Sequence, residues 1–579
     1  MPPDTGNPLI VQGDRTVLLE VDNPRYAEAR DALARFAELE KSPEHFHTYR
    51  ISPLSLWNAA AAGLSADDIL AALDRFTKYP VPANIEFEVR DFAARYGRLR
   101  LERRGEQLVL VSADAPLIAE VLRHKLVRPF LAEPLNAFAL AVRPDRRGHV
   151  KQALIKIGYP VEDLAGYVEG TPLPLRLRAA TAGGKPFVVR PYQREAADVF
   201  YAGGSARGGS GVVVLPCGAG KTIVGMAAMA LLQTHTLILC TNITAVRQWR
   251  REILDKMDLA DDQIGEYSGE AKEIRPVTLA TYQILTHHRR KDAAFPHFRL
   301  FNALNWGLIL YDEVHLLPAP VFRITAEIQA CRRLGLTATL VREDHKEDDV
   351  FSLIGPKRCD VPWKTLERQG WIATAQCTEI RTPLPDDLRM SYALATNRDK
   401  FRIASENPAK RMILRSLLAR HAGDRVLIIG QYLHQLRTIA RDTRAPLITG
   451  ATPNRDRERL YADFRTGAVQ TLIVSKVGNF AVDLPDANVA IQVSGTFGSR
   501  QEEAQRLGRI LRPKANGSLA RFYSLVTRDS RDADFAANRQ LFLTEQGYTY
   551  RILDAHQLLD PEPEGPVHHG LTRTRTDNG

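Results

Sequence analysis

The stretch that decides the fold is Val212-Val213-Val214-Leu215-Pro216-Cys217-Gly218-Ala219-Gly220-Lys221-Thr222, and the apolar segment 223–232 follows it. A short apolar strand, a glycine-rich turn and a helix that starts with Lys-Thr are typical of a phosphate-binding loop, although Leu215 replaces the usual first glycine. Glycines let the backbone wrap around a polyphosphate, and the amides at the helix start point towards the anion. We expect residues 216–222 to bind a nucleotide, with Lys221 reaching the β- and γ-phosphates and Thr222 offering its hydroxyl to Mg²⁺.

The composition is that of a globular protein with several domains. The chain has 579 residues, too many for one hydrophobic core, and 44% of them are apolar while 25% are charged. The sequence contains no apolar stretch of about 18 residues, which a membrane-spanning helix needs, and its start lacks the layout of a secretory signal. Five cysteines without a CxxC pair argue against a disulfide scaffold or a zinc site. These features predict a protein of a reducing, intracellular compartment.

The charge balance is moderately basic. Lysine and arginine outnumber aspartate and glutamate by 78 to 68, which gives a net charge of +10. Such an excess favours a polyanionic partner, but it also occurs in proteins that never bind nucleic acid. Charge alone therefore leaves both possibilities open. The segment 561–579 has too few apolar residues to pack, and we expect it to be disordered.

Residues 1–112 are predicted to form an α+β domain. An apolar stripe at helical spacing follows Ser65, a suitable N-cap because aspartates stand in the next turn. A second helix is predicted near residues 85–96, and the strand-like stretches GRLRLE and QLVLVS flank a turn at Arg104-Gly105. Helices followed by a hairpin are typical of a winged-helix-like unit and of a plain α+β packing domain, and both readings stay open.

Residues 113–182 are predicted to form a further small α+β domain. It contains the strand-like stretch AFALAV and a helix at about 146–157. The apolar residues of this helix form an inward stripe, and its basic residues predict an outer face made by Arg146, Arg147, Lys151 and Lys156. A basic face of this kind either contacts DNA or is simply solvated.

From residue 186 to about 555, short apolar strands alternate with helical segments. The strand-like runs are VVVLP, TLILCT, VTLAT, LILYDE, LGLT, RVLIIG, PLIT, TLIVS, VAIQV and FYSLV. This alternation is typical of parallel sheets covered by helices on both faces, and ten runs exceed one comfortable sheet. The break falls between residues 372 and 407. The sequence therefore predicts an α/β fold with two tandem parallel-sheet domains, 186–375 and 376–555, after the smaller α+β domains.

Two acidic residues end the buried strand 308–311, where the sequence continues Asp312-Glu313-Val314-His315. Side chains at the carboxyl end of a strand in an open α/β sheet face the ligand crevice. We expect Asp312 to hold Mg²⁺ through water and Glu313 to act as the general base on the attacking water.

A second candidate group lies in the stretch Gln505-Arg506-Leu507-Gly508-Arg509-Ile510-Leu511-Arg512. Arg509 and Arg512 are three positions apart, so they project from one face of a helix. Two guanidinium groups aimed together match the spread charge of a γ-phosphoryl group in transfer. Because both arginines belong to the second parallel-sheet domain, hydrolysis would require closure of the cleft between the two domains.

The motifs GAGKT, DEVH, LTAT and QRLGRILR, in this order, resemble the motif set of superfamily 2 helicases. The stretches LTATLVRED, FSLIGPK, SKVGNFAVDLP and GSRQEEAQRLGRILR are similar to the XPB family of DNA repair and transcription helicases. The likeness is dense over residues 186–555 and looser before them. It implies two RecA-like domains, ATP and Mg²⁺ as cofactors, and 3′ to 5′ helicase or translocase activity on single-stranded or forked DNA.

The same resemblance assigns roles to individual residues. Thr337 and Thr339 match the motif that couples hydrolysis to DNA, and Arg342-Glu343-Asp344 match the charged unwinding loop of the family. The residues that it assigns to the nucleotide site or to catalysis, beyond those above, are Arg190, Gln193, His315, Gly478, Asp483 and Gln505. Residues 113–182 occupy the position of a damage-recognition domain, and residues 390–407 that of a shortened thumb.

Two other functions remain compatible with the sequence. The chain could be a duplex DNA translocase that remodels without processive unwinding, or an ATP-gated structural subunit of a repair assembly. An Ala- and Arg-rich composition hints at a prokaryotic source. We therefore expect a cytoplasmic, nucleoid-associated protein without a membrane partner, and the resemblance suggests a nuclease as its protein partner.

Overall fold

The computed structural model describes residues 6–42, 45–143, 145–216, 218–287, 296–329, 331–338, 347–361, 363–371, 375–475, 487–495, 520–545 and 549–559. Across these ranges the chain forms four β-sheets, two small and two of seven strands. None of the helices in this part of the chain is long and apolar enough to cross a membrane.

The first sheet and its helices occupy the N-terminal residues. The elements are β1 (Leu9–Val11), β2 (Thr16–Glu20), α1 (Tyr26–Leu33), β3 (Glu38–Lys41), β4 (Phe46–Arg50), α2 (Pro53–Ala61), α3 (Ala66–Phe76) and α4 (Ala83–Arg95). The strands are antiparallel, in the order β1-β2-β4-β3. The N-cap predicted for α3 is confirmed, since Ser65 Oγ accepts a hydrogen bond of 3.1 Å from the Asp68 amide.

The second sheet contains the predicted hairpin. Its elements are β5 (Leu99–Arg104), β6 (Gln107–Val111), α5 (Ala115–Arg123), β7 (Leu131–Asn136), β8 (Ala139–Val142), α6 (Arg147–Lys156) and β9 (Val161–Asp163). The strand order is β7-β8-β6-β5-β9. The hairpin β5–β6 thus pairs with β8 and β9, so the division predicted at residue 112 passes through this sheet and the hairpin is not a wing of the preceding helices. We place the division before β5.

The prediction of a basic outer face on α6 is wrong for two of its four residues. Arg147 and Lys151 are only 6% and 5% exposed. Asp163 at the end of β9 explains this, because its carboxylate lies 2.8 Å from Arg147 Nη2 and 3.0 Å from Lys151 Nζ. The paired charges are buried between the small domain and its neighbour, and only Arg146 and Lys156 face solvent.

The third sheet is parallel and has seven strands. Its strands are β10 (Ser210–Val214), β11 (Thr236–Cys240), β12 (Ile264–Tyr267), β13 (Val277–Thr281), β14 (Leu308–Asp312), β15 (Arg332–Thr337) and β16 (Lys357–Asp360). The associated helices are α7 (Pro191–Tyr201), α8 (Lys221–Leu232), α9 (Ile243–Lys256), α10 (Tyr282–Thr286), α11 (Ala319–Glu327), α12 (Glu347–Leu353) and α13 (Trp363–Arg368). The strand order is β12-β13-β11-β14-β15-β10-β16, and it places the ends of β10 and β14 on either side of β15.

The fourth sheet is also parallel, with the same number of strands. They are β17 (Ala375–Thr382), β18 (Val426–Gly430), β19 (Leu447–Ile448), β20 (Thr471–Ser475), β21 (Val489–Gln492), β22 (Ala520–Thr527) and β23 (Thr549–Asp554). The helices are α14 (Asp386–Leu394), α15 (Asn397–Ser405), α16 (Lys410–Arg420), α17 (Leu433–Thr443), α18 (Asn454–Thr466), α19 (Arg531–Glu545) and α20 (Ala555–Leu559). The strand order is β19-β20-β18-β21-β22-β17-β23. The predicted fold class, two tandem α/β domains after smaller α+β domains, is confirmed.

The small domains are attached to the parallel-sheet domains at several points. Lys151 Nζ donates a hydrogen bond of 3.0 Å to Gln329 Oε1 beside α11, and Gln152 Nε2 donates one of 2.7 Å to Asp349 on α12. At Gly148, a Cβ atom would lie 2.4 Å from the carbonyl oxygen of Ala326, so α6 and α11 approach to backbone contact. The Lys357 amide donates to Asn58 Oδ1 at 2.9 Å, and β3 lies beside α19 of the fourth sheet.

Candidate active site

The glycine loop joins β10 to α8. Gly218 and Gly220 have φ angles of 83° and 82°, in the left-handed region that disfavours side chains. A Cβ atom on Gly220 would also lie 2.5 Å from Gln193 Nε2, so a larger residue would displace the Gln193 side chain from the loop. Helix α8 begins at Lys221 and Thr222 is its second residue, so the free amides of its first turn lie at the loop.

Lys221 and Glu313 meet beside this loop. The ammonium nitrogen lies 3.3 Å from Glu313 Oε1, and the two side chains are 11% and 17% exposed. Glu313 has a φ angle of 50°, a strained backbone conformation that is often found at functional sites. Its second oxygen, Oε2, is buried without a hydrogen-bond partner among the described residues and lies 3.5 Å from His315 Nδ1. One carboxylate oxygen is thus available to a further donor.

The pKa values of the two adjacent acids move in opposite directions. Burial raises the pKa of Glu313, but the positive charge of Lys221 and the neighbouring His315 lower it by more, so the net pKa lies below the ordinary value. Burial and the charge of Glu313 raise the pKa of Asp312 to about 6, although the Trp249 indole and Lys221 act against this rise. Trp249 Nε1 donates a hydrogen bond of 3.0 Å to Asp312 Oδ2.

His315 connects the acidic strand end to the next strand. Its Nδ1 shares a hydrogen bond of 2.6 Å with the hydroxyl of Thr337, the last residue of β15. The imidazole is buried, so this contact is shielded from water. The structure therefore brings two predicted site residues together: His315, which follows the acidic strand end, and Thr337, which belongs to the predicted coupling motif.

The start of α7 is tied to the glycine loop. Gln193 Nε2 and the Tyr192 hydroxyl donate hydrogen bonds of 2.8 Å and 2.7 Å to the carbonyl oxygen of Ala219. Gln193 Oε1 accepts one of 3.0 Å from the Arg190 amide. The Arg190 guanidinium carbon lies 4.7 Å from the centroid of the Trp371 ring. Arg190 and Gln193, which the resemblance assigns to the nucleotide site, thus stand at the loop.

These residues fit a magnesium-bound nucleoside triphosphate. Left-handed glycines, a lysine at a helix start and a buried carboxylate oxygen without a donor are what such a ligand requires. Lys221 and the loop amides would hold the phosphates, and Thr222 and Asp312 would hold Mg²⁺. Arg190 and Gln193 would contact the base.

Several predicted site residues lie outside the described residues, and their roles stay predictions. They are Cys217, Thr339, Arg342, Glu343, Asp344, Gly478, Asp483, Gln505, Arg509 and Arg512. The described part of the site therefore belongs to the third sheet.

Comparison with known proteins decides the family. A model described as the ERCC3/RAD25/XPB C-terminal helicase matches residues 366–570. The res subunit of type III restriction enzymes matches residues 186–342, and a helicase conserved C-terminal domain matches residues 9–136. A relative from Kineococcus radiotolerans, named DNA 3′-5′ helicase XPB, is 55% identical over 96% of this chain and 98% of its own length. The chain belongs to the XPB family of DNA helicases.

Two further relatives of this XPB-family helicase match most of its length. A DNA 3′-5′ helicase XPB from Mycobacterium tuberculosis is 56% identical over 96% of this chain and all of its own length. The helicase/translocase subunit XPB of general transcription and DNA repair factor IIH from Antonospora locustae is 35% identical over 95% of this chain and 82% of its own length. The predicted resemblance is confirmed, and the chain is an enzyme of the ATP-hydrolysing helicase class.

Sequence reasoning missed three aromatic side chains around the site of this XPB-family chain. Trp249 contacts Asp312, the Tyr282 hydroxyl donates a hydrogen bond of 2.9 Å to the Asp312 carbonyl oxygen, and Trp371 stacks on Arg190. Each stands in a helical or loop sequence where an aromatic residue indicates ordinary core packing. Their polar partners are far away in sequence, so no local pattern could have identified them.

Proposed function

We propose that this chain hydrolyses ATP with Lys221, Asp312 and Glu313 and uses the energy to move 3′ to 5′ along DNA and separate its strands. The observation that carries the proposal is the contact of 3.3 Å between Lys221 Nζ and Glu313 Oε1 beside the glycine loop. A lysine ammonium that can bind phosphate and a carboxylate that can orient water are thus held side by side. The names of the bacterial relatives support the substrate and the direction.

Lys221 changes its partner during the reaction. The amides at the start of α8 and the Lys221 ammonium bind phosphate oxygens, and Lys221 then releases Glu313. Glu313 is ionised before ATP binds, because the positive charge of Lys221 and the neighbouring His315 hold its pKa below the ordinary value in spite of burial. It can therefore orient a water molecule and accept its proton.

Asp312 and Thr222 would hold Mg²⁺. The ion would supply positive charge against the negative charge that develops on the leaving group. The Trp249 indole fixes the orientation of the Asp312 carboxylate through its hydrogen bond of 3.0 Å. With a pKa of about 6, Asp312 is mostly ionised at neutral pH and can hold a hydrated cation.

The transmission of hydrolysis to DNA is proposed to pass through His315. Its hydrogen bond with Thr337 joins the acidic strand end to the segment that continues to Thr339 and the charged triad Arg342-Glu343-Asp344. When Lys221 releases Glu313 and binds phosphate, the Glu313 carboxylate can shift. His315, which lies 3.5 Å from that carboxylate, can then move, and Thr337 moves with His315. The triad would then act on the DNA fork.

The second parallel-sheet domain is proposed to complete the hydrolytic site. Gln505, Arg509 and Arg512 would approach the γ-phosphate when the cleft closes, and Gly478 and Asp483 would line the nucleotide from the same side. Positive charge that arrives only on closure stabilises the transition state more than bound ATP. Motion of the two domains and hydrolysis are thereby coupled.

A strand-displacement assay on a forked duplex tests the function. The full chain with ATP and Mg²⁺ is expected to release the displaced strand, and the activity should fall steeply with salt because phosphate contacts dominate binding. Hydrolysis without displacement would instead indicate a duplex translocase or remodeller. ATP binding without hydrolysis would indicate a structural subunit.

Replacement of the charged triad by alanine separates the two parts of this activity. The triple variant Arg342→Ala, Glu343→Ala and Asp344→Ala is expected to keep DNA-stimulated hydrolysis and to lose strand separation. If it unwinds the fork as well as the parent, the strand-opening element lies elsewhere, and the small domain formed by residues 99–163 becomes the next segment to test.

A protein partner and a cellular location complete the proposal. The family resemblance suggests a nuclease, and the relative from Antonospora locustae is named as a subunit of a transcription and DNA repair factor. We place the chain in the cytoplasm beside the nucleoid, in DNA repair. Affinity purification after DNA damage, with nuclease digestion of bridging DNA, tests the partner, and imaging of a tagged chain tests the location.

A further inference from the structure

Trp371 stands at the base-binding side of the candidate site without an assigned role. The centroid of its ring lies 4.7 Å from the Arg190 guanidinium carbon, which is within the range of a cation–π contact. The Tyr192 ring centroid lies 6.5 Å from it. The backbone of Trp371 is also fixed, because its amide donates a hydrogen bond of 2.9 Å to the carbonyl oxygen of Leu366 in α13.

This aromatic cluster is connected to the phosphate loop by hydrogen bonds. Arg190 Nη1 donates one of 3.1 Å to the Tyr192 hydroxyl, which in turn donates one of 2.7 Å to the Ala219 carbonyl oxygen. Within the described residues, Arg190 forms no ion pair with a carboxylate. Its guanidinium is therefore oriented by aromatic groups and stays only half-buried.

We propose that Trp371 is a positioning residue for nucleotide recognition: it holds the Arg190 guanidinium flat, so that the purine base of ATP stacks on a plane that exists before binding. The inference rests on the proposed function and deepens it. An arginine has a long, flexible side chain, and ordering it costs conformational entropy at the moment of binding. Stacking on Trp371 orders the Arg190 side chain before ATP binds, so less conformational entropy is lost when the base binds.

A comparison of two substitutions tests the role of the ring. Trp371→Leu keeps an apolar side chain and removes the aromatic face, whereas Trp371→Phe keeps a face for stacking. In DNA-stimulated hydrolysis, Trp371→Leu is expected to raise KM for ATP about tenfold and to leave kcat within about twofold, since a cation–π contact has this strength. Trp371→Phe is expected to restore most of the affinity.

Tripolyphosphate separates base recognition from phosphate binding, because it carries the phosphates and lacks the base. Its inhibition constant should be the same for the parent, Trp371→Leu and Trp371→Phe. Trp57→Phe, in α2 of the N-terminal domain, serves as the control and should change neither KM nor this inhibition constant. An unchanged KM in Trp371→Leu overturns the proposal, and so does an equal loss of ATP and tripolyphosphate affinity, which would indicate a structural role.

Tryptophan fluorescence gives a second measurement that does not depend on hydrolysis. Addition of ATP without Mg²⁺ is expected to change the emission of the parent, and this change should be lost in Trp371→Phe and kept in Trp57→Phe. Retention of the full change in Trp371→Phe overturns the proposal. Failure of the parent to hydrolyse ATP would contradict the proposed function, while binding with an emission change from Trp371 would still support base recognition.

Discussion

Each of the two parallel-sheet domains contains a lysine paired with a buried carboxylate, and the two pairs differ in how far the protein encloses them. Lys221 and Glu313 in the first are 11% and 17% exposed and lie 3.3 Å apart. Lys410 and Asp532 in the second are 2% and 0% exposed and lie 2.7 Å apart. The chemical groups are alike, but the first pair borders a glycine loop and the second is enclosed by protein.

The enclosed pair has backbone partners on both sides. Lys410 Nζ also donates a hydrogen bond of 3.2 Å to the Val493 carbonyl oxygen, and Asp532 Oδ2 accepts one of 3.0 Å from the Thr527 amide. It therefore joins α16, the end of β22 and the start of α19. In each pair one carboxylate oxygen, Glu313 Oε2 and Asp532 Oδ1, is buried without a hydrogen-bond partner among the described residues. The difference between the two pairs is therefore access: the first borders the glycine loop, where a ligand can enter, whereas the second is enclosed by protein and acts on the stability of the fold.

The largest expected effect is on hydrolysis in Lys221→Ala. The rate should fall about 10⁴-fold, because the ammonium offsets charge on the transferred phosphoryl group. The fold should stay intact and the melting temperature should fall less than in Lys410→Met, because the Lys221–Glu313 pair borders the glycine loop and is less enclosed than the second pair. Steady-state phosphate release and calorimetry on the same preparation measure both. Near-normal turnover would remove Lys221 from the site.

Glu313→Gln is expected to lower hydrolysis about 10³-fold and to retain ATP binding. The amide has the shape of the carboxylate but cannot accept the proton of water. Equilibrium binding of a fluorescent ATP analogue and single-turnover hydrolysis distinguish the two steps. Loss of binding together with hydrolysis would show that Glu313 acts on the structure of the loop.

Lys410→Met addresses the second pair, and it should act on stability. Removal of one partner leaves the Asp532 carboxylate buried with less compensation, which is expected to lower the free energy of unfolding by about 3 kcal/mol. Hydrolysis per folded molecule, measured well below the melting temperature, should be unchanged. The double variant Lys410→Met, Asp532→Leu should recover much of the lost stability. A selective loss of turnover in the single variant would contradict a purely structural pair.

The smallest effect is expected for Trp249→Phe, which keeps the ring in the core and removes the donor to Asp312. Loss of a hydrogen bond to a charged group is worth about 1.5 kcal/mol, or roughly a tenfold weaker apparent affinity for Mg²⁺. A titration of hydrolysis with Mg²⁺ at saturating ATP measures it. An unchanged Mg²⁺ dependence would mean that the indole does not orient Asp312.

Sequence predicted what is local and missed what depends on distant partners. The strand, glycine turn and helix around Lys221, the cap at Ser65 and the acidic end of β14 follow from neighbouring residues, and all three are present. The partners of Lys151 could not be read locally, because Gln329 stands 178 positions away. The basic pattern on α6 was therefore interpreted as a solvent-facing surface.

Strand β17 was missed for a related reason. Its sequence AQCTEIRT contains charged residues and lacks an apolar run, yet Glu379 on it is buried and pairs with Arg381 at 2.7 Å. A strand whose charged side chains pair with each other lacks the continuous apolar run by which a buried strand is recognised in a sequence. The same limit applies to Trp371, whose contact with Arg190 joins residues far apart in the chain.

The contact of β3 with α19 has a consequence for how the cleft can open. The second parallel-sheet domain lies against β3 of the N-terminal sheet through α19. A movement that separates the two parallel-sheet domains therefore has to break this contact or carry the N-terminal sheet with it. We expect the contact to limit how far the cleft opens.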